Sequence, residues 1–299
     1  MAGGLLVAGL AELSAVSLAR NGRNAASLPQ RAFTIGLHTF GWGVLLFLVL
    51  PLLVVVPLSF NAGSFLTYPL SGISGRWYAD LAASPSWSKA FRNSFFVGII
   101  TTVLATGLGT AAALGIKRLG AGRAKWISLV ILSPIIVPVV ITAVGVYFLY
   151  APFGLVSSFT GLILAHTVLA APFVVITVAA TLDGFDPNLL RAAASCGASP
   201  FVAFRRVMLP LIMPGVVSGA IFAFAISFDD IVMALFLAGP EQRTLPVQMF
   251  NGVREEISPT ITAAATLLVV LAVILLGIVE YLRKRSRRLG IAAADAGQH

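Results

Sequence analysis

Six long apolar runs constrain this chain more than any other feature of its sequence. Crossing the hydrocarbon core of a bilayer takes about 20 apolar residues, and each run reaches that length. The predicted spans are residues 37–60, 94–116, 126–150, 159–181, 214–238 and 260–282. Only 10% of the residues are charged, against roughly a quarter in soluble domains. The sequence therefore predicts an all-α integral membrane protein.

Proline and small residues within the spans indicate how the helices bend and pack. Pro134 and Pro138 interrupt the third span, and such kinks are tolerated in membranes where neighbouring helices or water satisfy the freed backbone groups. Ala105, Gly109 and Ala113 recur at four-residue spacing in the second span. Small residues at this spacing allow close helix packing, so this stripe predicts a helix–helix contact.

The distribution of lysine and arginine predicts the orientation. Fifteen of the 20 such residues lie on one side of the predicted spans, together with both termini. Cytoplasmic flanks carry this excess, so we expect a cytoplasmic arm at 1–36, a six-span domain at 37–282 and a basic cytoplasmic tail at 283–299. The net charge of +9 is thus explained by topology and contact with membrane lipid, and no nucleic-acid partner is expected.

Glu12 and the lack of a basic segment at the N-terminus favour a mobile arm over a cleaved signal peptide.

The sequence lacks the residues needed for an internal disulfide, a metal site or a nucleotide-binding loop. The single cysteine, Cys196, excludes an internal disulfide, and no Cys/His spacing resembles a metal site. The sequence contains no G-x-x-x-x-G-K-[ST] phosphate-binding loop. We therefore expect a chain that is not an enzyme and binds no cofactor of its own.

The loop at 182–213, between the fourth and fifth spans, repeats one helix-start signal. Asp186 precedes Pro187, and Ser199 precedes Pro200. A capping side chain followed by proline at the first helical position is typical of a helix N-terminus. The loop is therefore predicted to form two short helices at the membrane face.

The ends of these two helices also have sequence signals. The first is predicted to run to about Cys196 and to end at Gly197, since glycine suits a left-handed cap. The second is predicted to run to about Met208 and to stop before Pro210. Together the two helices make a short hairpin.

The second helix of the hairpin carries an apolar stripe. Phe201, Phe204 and Met208 fall on one helical face, bordered by Arg205 and Arg206. Two interpretations stay open on spacing alone. The stripe packs on the protein's own membrane domain, or part of it inserts into a groove on another protein.

The same loop resembles the EAA loop of permease subunits in binding-protein-dependent ABC importers. That pattern is Glu-Ala-Ala, three residues, glycine, nine residues and Ile-x-Leu-Pro. The positions in register here are Ala192, Ala193, Gly197, Val207, Leu209 and Pro210. One position departs from the pattern, because Arg191 stands where the family has glutamate.

The resemblance implies that residues 187–209 form a coupling helix that docks in a groove of an ATPase subunit. The residues that it assigns to this contact are Arg191, Ala192, Ala193, Gly197, Ser199, Phe201, Phe204, Arg205, Leu209 and Pro210. Because Arg191 reverses a charge, the ATPase is expected to need a compensating acid there.

Two adjacent carboxylates, Asp229 and Asp230, lie inside the fifth predicted span. A charge at mid-membrane costs about 2.5–3.5 kcal/mol on insertion scales, and no predicted span has an interior lysine or arginine. Three interpretations remain: a path for a cationic solute, structural hydrogen bonding with His166 at similar depth, or a catalytic pair. The last is disfavoured because neighbouring helical residues do not face each other. Phenylalanines nearby can supply cation–π walls: Phe222, Phe224 and Phe228.

A second resemblance covers residues 180–282. The SFDD of the fifth span, followed by AGP, TLP and ISPTITAAATLL, is similar to the second permease of spermidine/putrescine importers. It implies a type I ABC importer permease fold in a bacterial inner membrane, carrying a small cationic solute such as a polyamine. It also implies a second homologous or identical permease, two cytoplasmic ATPases holding ATP and Mg²⁺, and a periplasmic or lipoprotein binding protein.

The main alternative is a stand-alone secondary carrier or channel. It would use Asp229, Asp230 and His166 as an ion relay. An intramembrane enzyme is less favoured, because the sequence offers no nucleophile–base set.

Overall fold

The computed structural model describes residues 28–255 and 258–296. Its α-helices, in chain order, are α1 Leu28–Leu58, α2 Arg76–Ala83, α3 Pro85–Lys117, α4 Ala121–Ile136, α5 Val139–Tyr150, α6 Phe159–Asp183, α7 Asn188–Ser195, α8 Pro200–Ala203, α9 Leu209–Asp229, α10 Val232–Leu237, α11 Leu245–Glu255 and α12 Pro259–Ala296. The described residues contain no strand beyond one isolated bridge between Asn61 and Ile73. Most of α1 belongs to a separate unit, residues 1–55, and the packing described below is that of residues 56–299. The prediction of a mobile arm concerns residues that lie mostly outside the described part.

In the described part of the chain, four helices are long and apolar enough to cross a membrane, and the bent pair α4 and α5 makes a fifth if it is one span. These four are Gly36–Leu58, Pro85–Lys117, Phe159–Asp183 and Pro200–Asp229. A shorter apolar stretch, Pro259–Leu275, opens α12, and α12 continues through most of the predicted tail. The all-α membrane fold is confirmed, and the count of six spans stays a prediction.

The third predicted span, 126–150, is not one continuous helix. Its two halves, α4 and α5, are bent by 103° relative to each other. Pro138 has no N–H to donate, and Val137 before it is extended, with φ −74° and ψ 132°, because proline disfavours helical geometry in the preceding residue. Pro134, by contrast, is accommodated inside α4.

Helix α6 lies at the centre of the core and packs against α3 and α9. The predicted small-residue stripe on α3 is buried, with Ala105 and Ala113 at 0% and 2% exposure. A Cβ added at Gly109 would lie 2.7 Å from the Cβ of Val174 on α6. The predicted close contact is therefore confirmed.

A second small-residue stripe, on α9, lies against the same helix. Gly215 and Gly219 are buried, and Cβ atoms added there would lie 2.1 Å from the Thr181 Oγ1 and 2.6 Å from the Thr177 Oγ1. Both threonine hydroxyls donate to carbonyls of the preceding turn of α6. Because these hydroxyls are satisfied within α6, the two threonines can lie close to the apolar helix α9.

The loop between α10 and α11 is fastened to the first turns of α3. The Asn93 Nδ2 donates to the backbone oxygen of Glu241 at 2.8 Å, and the Ser94 Oγ accepts from the Leu245 N–H at 2.7 Å. Lys89 forms an ion pair with Glu241. The hydrogen bond from the lysine ammonium, and then its charge, hold the pKa of that carboxyl below its ordinary value. The chain that leaves α10 is thus held in place.

Candidate functional site

The two adjacent acids lie at a break between helices. Helix α9 ends at Asp229, Asp230 is extended with φ −70° and ψ 124°, and α10 begins at Val232. The continuous helix predicted over 214–238 is therefore wrong at this point. The physical reason is local: the Asp230 Oδ2 accepts from the backbone N–H of Ala234 at 3.1 Å, and thereby starts a new helix.

Asp230 also faces a buried histidine on α6. The His166 Nε2 lies 3.5 Å from the Asp230 Oδ2, and their side chains are 0% and 10% exposed. The other ring nitrogen, Nδ1, pairs with the Ser227 Oγ at 2.8 Å. The sequence placed His166 at the depth of the acids but not beside Asp230 in particular. It also missed Ser227, which lies three residues before Asp230, one turn away along the chain.

A groove of about 560 Å³ runs between α9 and α12, with both acids in its lining. Asp229 is exposed, and makes no hydrogen bond or ion pair with the described residues. Among the residues that the structure describes, no lysine, arginine or histidine lines this groove. The remaining lining residues are apolar: Ile221, Phe222, Ala225, Ile226, Phe228, Leu268, Val269, Leu271, Ala272 and Leu275. The opposite wall on α12 was not predicted, because it depends on how two distant helices pack.

The three predicted phenylalanines occupy different places. Phe222 and Phe228 line the groove, and Phe224 does not. The rings of Phe224 and Phe228 stack with centroids 5.1 Å apart, and Phe95 of α3 meets Phe228 at 4.9 Å. Phe228 is nearly buried in this cluster, whereas Phe222 is 40% exposed. The groove therefore has one packed and one exposed aromatic side chain near the acids.

Both helices of the hairpin between α6 and α9 start close to their predicted signals, although α7 begins at Asn188, one residue after the predicted Pro187. The Asp186 Oδ1 accepts from the Asn188 N–H at 2.9 Å, and the Ser199 Oγ accepts from the Val202 N–H at 3.4 Å. The first helix, α7, ends one residue before Cys196. Gly197 adopts the predicted left-handed conformation, with φ +81°.

The second helix of the hairpin does not stop before Pro210. Helix α8 passes through a π-turn, Phe204–Met208, directly into α9. The Leu209 N–H bonds to the Phe204 oxygen five residues back, and Pro210, which has no N–H to donate, follows directly after this π-turn. The hairpin and the spanning helix are consequently one continuous rod, Pro200–Asp229.

The apolar stripe on this rod packs on the protein's own membrane domain at one end and is exposed at the other. Met208 and Leu209 pack against the protein's own core of α3, α6 and α9. Phe201 points outward, with 69% of its surface exposed. Arg205 is exposed, and Arg191 donates from Nη1 to the Asn188 Oδ1 at 3.2 Å. One end of the stripe is therefore core, and the other is free for a partner.

The remaining hairpin residues that the resemblance singles out lie around this exposed end. Ala192 and Ser199 are exposed, and Ala193 and Phe204 are half-buried. The exposed Arg191 and Arg205 form no ion pair with an acid of the described residues. With these two arginines, the four residues form a small, partly apolar and basic surface.

Residues 105–288 match the protein family described as "Binding-protein-dependent transport system inner membrane component". The spermidine/putrescine transport system permease protein PotC of Escherichia coli (strain K12) is 31% identical over 229 residues, covering 77% of this chain and 86% of PotC. The putrescine transport system permease protein PotI of the same strain is 32% identical over 249 residues, covering 81% of this chain and 88% of PotI.

Among solved structures, a bacterial ABC transporter involved in the import of the acidic polysaccharide alginate has a similar fold. The TM-score is 0.67 at 15% sequence identity, over 86% of this chain and 98% of that one. At this identity the likeness concerns the fold alone. The helical arrangement described above thus has an experimentally determined counterpart.

Proposed function

The chain belongs to the family of binding-protein-dependent transport system inner membrane components and is a membrane-spanning permease subunit of an importer, and we propose that its solute is a small organic cation of the polyamine class. One observation carries this proposal. The exposed carboxylate of Asp229 lies in an apolar groove whose described lining contains no basic residue. PotC and PotI, whose names specify spermidine and putrescine, support the same solute class.

The electrostatics of the groove favour a cation. A carboxylate surrounded by apolar walls is poorly solvated, so a neutralising partner stabilises it. The described lining offers none, and a protonated amine supplies the missing charge. Phe222, which is 40% exposed in the groove, adds aromatic surface that suits an ammonium group and its methylene chain.

We also propose that the hairpin at 187–209 contacts an ATPase. Phe201 and Arg205 supply an exposed apolar anchor beside a charge, an arrangement that suits insertion into a protein groove. Two cytoplasmic ATPases would hold ATP and Mg²⁺, and this chain would hold neither. A second homologous or identical permease and a periplasmic or lipoprotein binding protein complete the importer. Both termini would then face the cytoplasm of a bacterial inner membrane.

Helix α9 offers a mechanical route between these two regions. It begins at the hairpin and ends at Asp229, and its 21 residues span about 30 Å at 1.5 Å per residue. Movement of the hairpin on ATP binding would displace α9 as a unit. The groove and its carboxylate would then change their exposure to the two sides of the membrane.

The experiment is extraction of the tagged chain with its partners, followed by reconstitution in liposomes. We expect an ATPase and one more permease to copurify in a fixed ratio, and ATP-dependent uptake of labelled putrescine or spermidine. A neutral disaccharide and a dicarboxylate of similar length serve as control solutes. Uptake of either control in preference to the amines would overturn the assigned solute class. Uptake by this chain alone, without ATP, would instead support the stand-alone carrier with its ion relay of Asp229, Asp230 and His166.

A further inference from the structure

His166 is an unusual side chain to find behind the groove. It is fully buried, its Nδ1 pairs with Ser227, and its Nε2 makes no hydrogen bond with the described residues. A buried ring nitrogen without a partner is costly. The nearest charged atom is the Asp230 Oδ2, 3.5 Å away, so the imidazole is directed at one of the two acids.

The two acids are held in different ways. The Asp230 side chain is 10% exposed, faces His166, and accepts the Ala234 N–H that begins α10. Asp229 is exposed, and no side chain or backbone group of the described residues holds it. Both acids line the groove, but they differ in exposure. The Asp230 carboxylate is nearly buried against His166, whereas the Asp229 side chain is open to the groove.

We propose that the adjacent acids have separate roles. Asp229 receives the cationic solute, whereas Asp230 is a positioning residue that His166 and the start of α10 hold in place. Together they fix the helix break at which Asp229 turns into the groove. The identity of the solute rests on the proposed function; the division of roles rests on this geometry.

Charge-neutral substitutions separate the two roles. Asp229→Asn removes the charge that meets the solute, so we expect the KM for putrescine uptake to rise about tenfold or more. Asp230→Asn keeps an oxygen for the Ala234 N–H and an amide for His166. We expect its KM to change less than about threefold, with any loss of transport coming from a smaller amount of folded complex. An equal rise in KM for both variants would show that Asp230 meets the solute, and would overturn the proposal.

Two histidine substitutions test the positioning contact. His166→Gln places an amide near the position of Nε2, toward Asp230, whereas His166→Asn places it near Nδ1, toward Ser227. We expect the Gln variant to retain a KM near that of the parent and the Asn variant to lose uptake. The reverse order would show that the Ser227 contact, and not the Asp230 contact, matters. If neither variant folds, the comparison of Asp229→Asn with Asp230→Asn still decides.

A thiol-labelling measurement needs no transported solute. It can therefore show whether the separate roles of the two acids are wrong or only the assigned solute is wrong. Ala225 lines the groove, and Ala225→Cys in a Cys196→Ser background places a single thiol there. The ratio of its labelling rates by cationic and anionic methanethiosulfonates, measured in membranes with all subunits, reports the local charge. We expect Asp229→Asn to lower this ratio severalfold and Asp230→Asn to change it much less. If polyamines are not transported but this difference holds, only the solute assignment fails. Equal effects of the two substitutions contradict the separate roles.

Discussion

At the scale of single residues, Gly197 is the position in the hairpin where backbone conformation alone is decisive. Its φ is +81°, and a Cβ added there would meet nothing within 4 Å. A side chain would therefore cause no clash, and the cost of substitution comes from the left-handed backbone, about 1–2 kcal/mol for most residues. A branched side chain is strained there, whereas asparagine tolerates this region.

We accordingly expect Gly197→Val to abolish ATP-dependent uptake without reducing membrane insertion, since it distorts the hairpin and not the spans. Gly197→Asn, the matched control, is expected to keep most of the uptake. Uptake in vesicles and the amount of inserted protein are measured together for both variants. Normal transport by the valine variant would contradict the coupling role of this turn.

Arg191 is the second informative residue of the hairpin, because it replaces the glutamate of the EAA pattern. Its guanidinium bonds only to Asn188 among the described residues, which leaves most of its hydrogen-bonding groups for a partner. We expect Arg191→Glu to weaken copurification of the ATPase by roughly fivefold or more at low salt, with a smaller effect at high salt, if the ATPase carries an acid opposite. Arg191→Gln separates loss of charge from its reversal. Unchanged complex stability and activity in both variants would remove this contact from the proposal.

At the scale of secondary-structure elements, α6 is held by two stripes of small residues, one from α3 and one from α9. Gly215 of α9 lies so close to α6 that an added Cβ would overlap the Thr181 hydroxyl. We expect Gly215→Val to destabilise the extracted protein by about 1–3 kcal/mol or more through overpacking. Gly107→Val on α3 is the matched control, since nothing lies within 4 Å of that position. Thermal unfolding followed by size-exclusion chromatography compares them, and equal midpoints would refute the close packing.

The sequence predicted these elements well where hydropathy and capping signals decide them. The fourth span was predicted at 159–181 and α6 runs from Phe159 to Asp183, and the hairpin begins and turns where its Asx, serine and glycine signals lie. Kinks were predicted for the third span, but its complete break before Pro138 and the break after Asp229 were not predicted. Hydropathy is averaged over a window and does not register that Pro138 breaks a helix whereas Pro134 and Pro210 do not. That difference depends on whether the freed backbone groups find other partners.

The candidate site shows the same limit for side-chain contacts. The acids and His166 were recognised from the sequence because ionisable groups are rare in apolar spans. Which acid faces His166 depends on the rotation of α6 relative to α9 and on the helix break after Asp229. The groove wall on α12 depends on packing between segments some 40 residues apart. The spacing of residues along the sequence therefore predicts neither which acid faces His166 nor which helix forms the other wall of the groove.

At the scale of the whole molecule, the hairpin and the groove lie at opposite ends of the rod Pro200–Asp229. Because the π-turn keeps this rod helical through Phe204–Met208, a displacement of the hairpin is transmitted along α9 instead of being absorbed by a loop. The core packed against α9 opposes its bending, since Ile212 and Ala223 are fully buried in it. The two ends are therefore expected to move together.

This connection predicts that nucleotide bound to the ATPase changes the accessibility of the groove. In the complete complex, with Ala225→Cys in the Cys196→Ser background, we expect ATP with vanadate to change the rate of thiol labelling at least about threefold, because the displaced rod exposes the groove to the other side of the membrane. Adding Gly197→Val should remove the response to nucleotide and leave the basal labelling rate intact, since that substitution strains only the hairpin. A response that survives Gly197→Val would mean that the ATPase acts on the groove by a route that bypasses this turn.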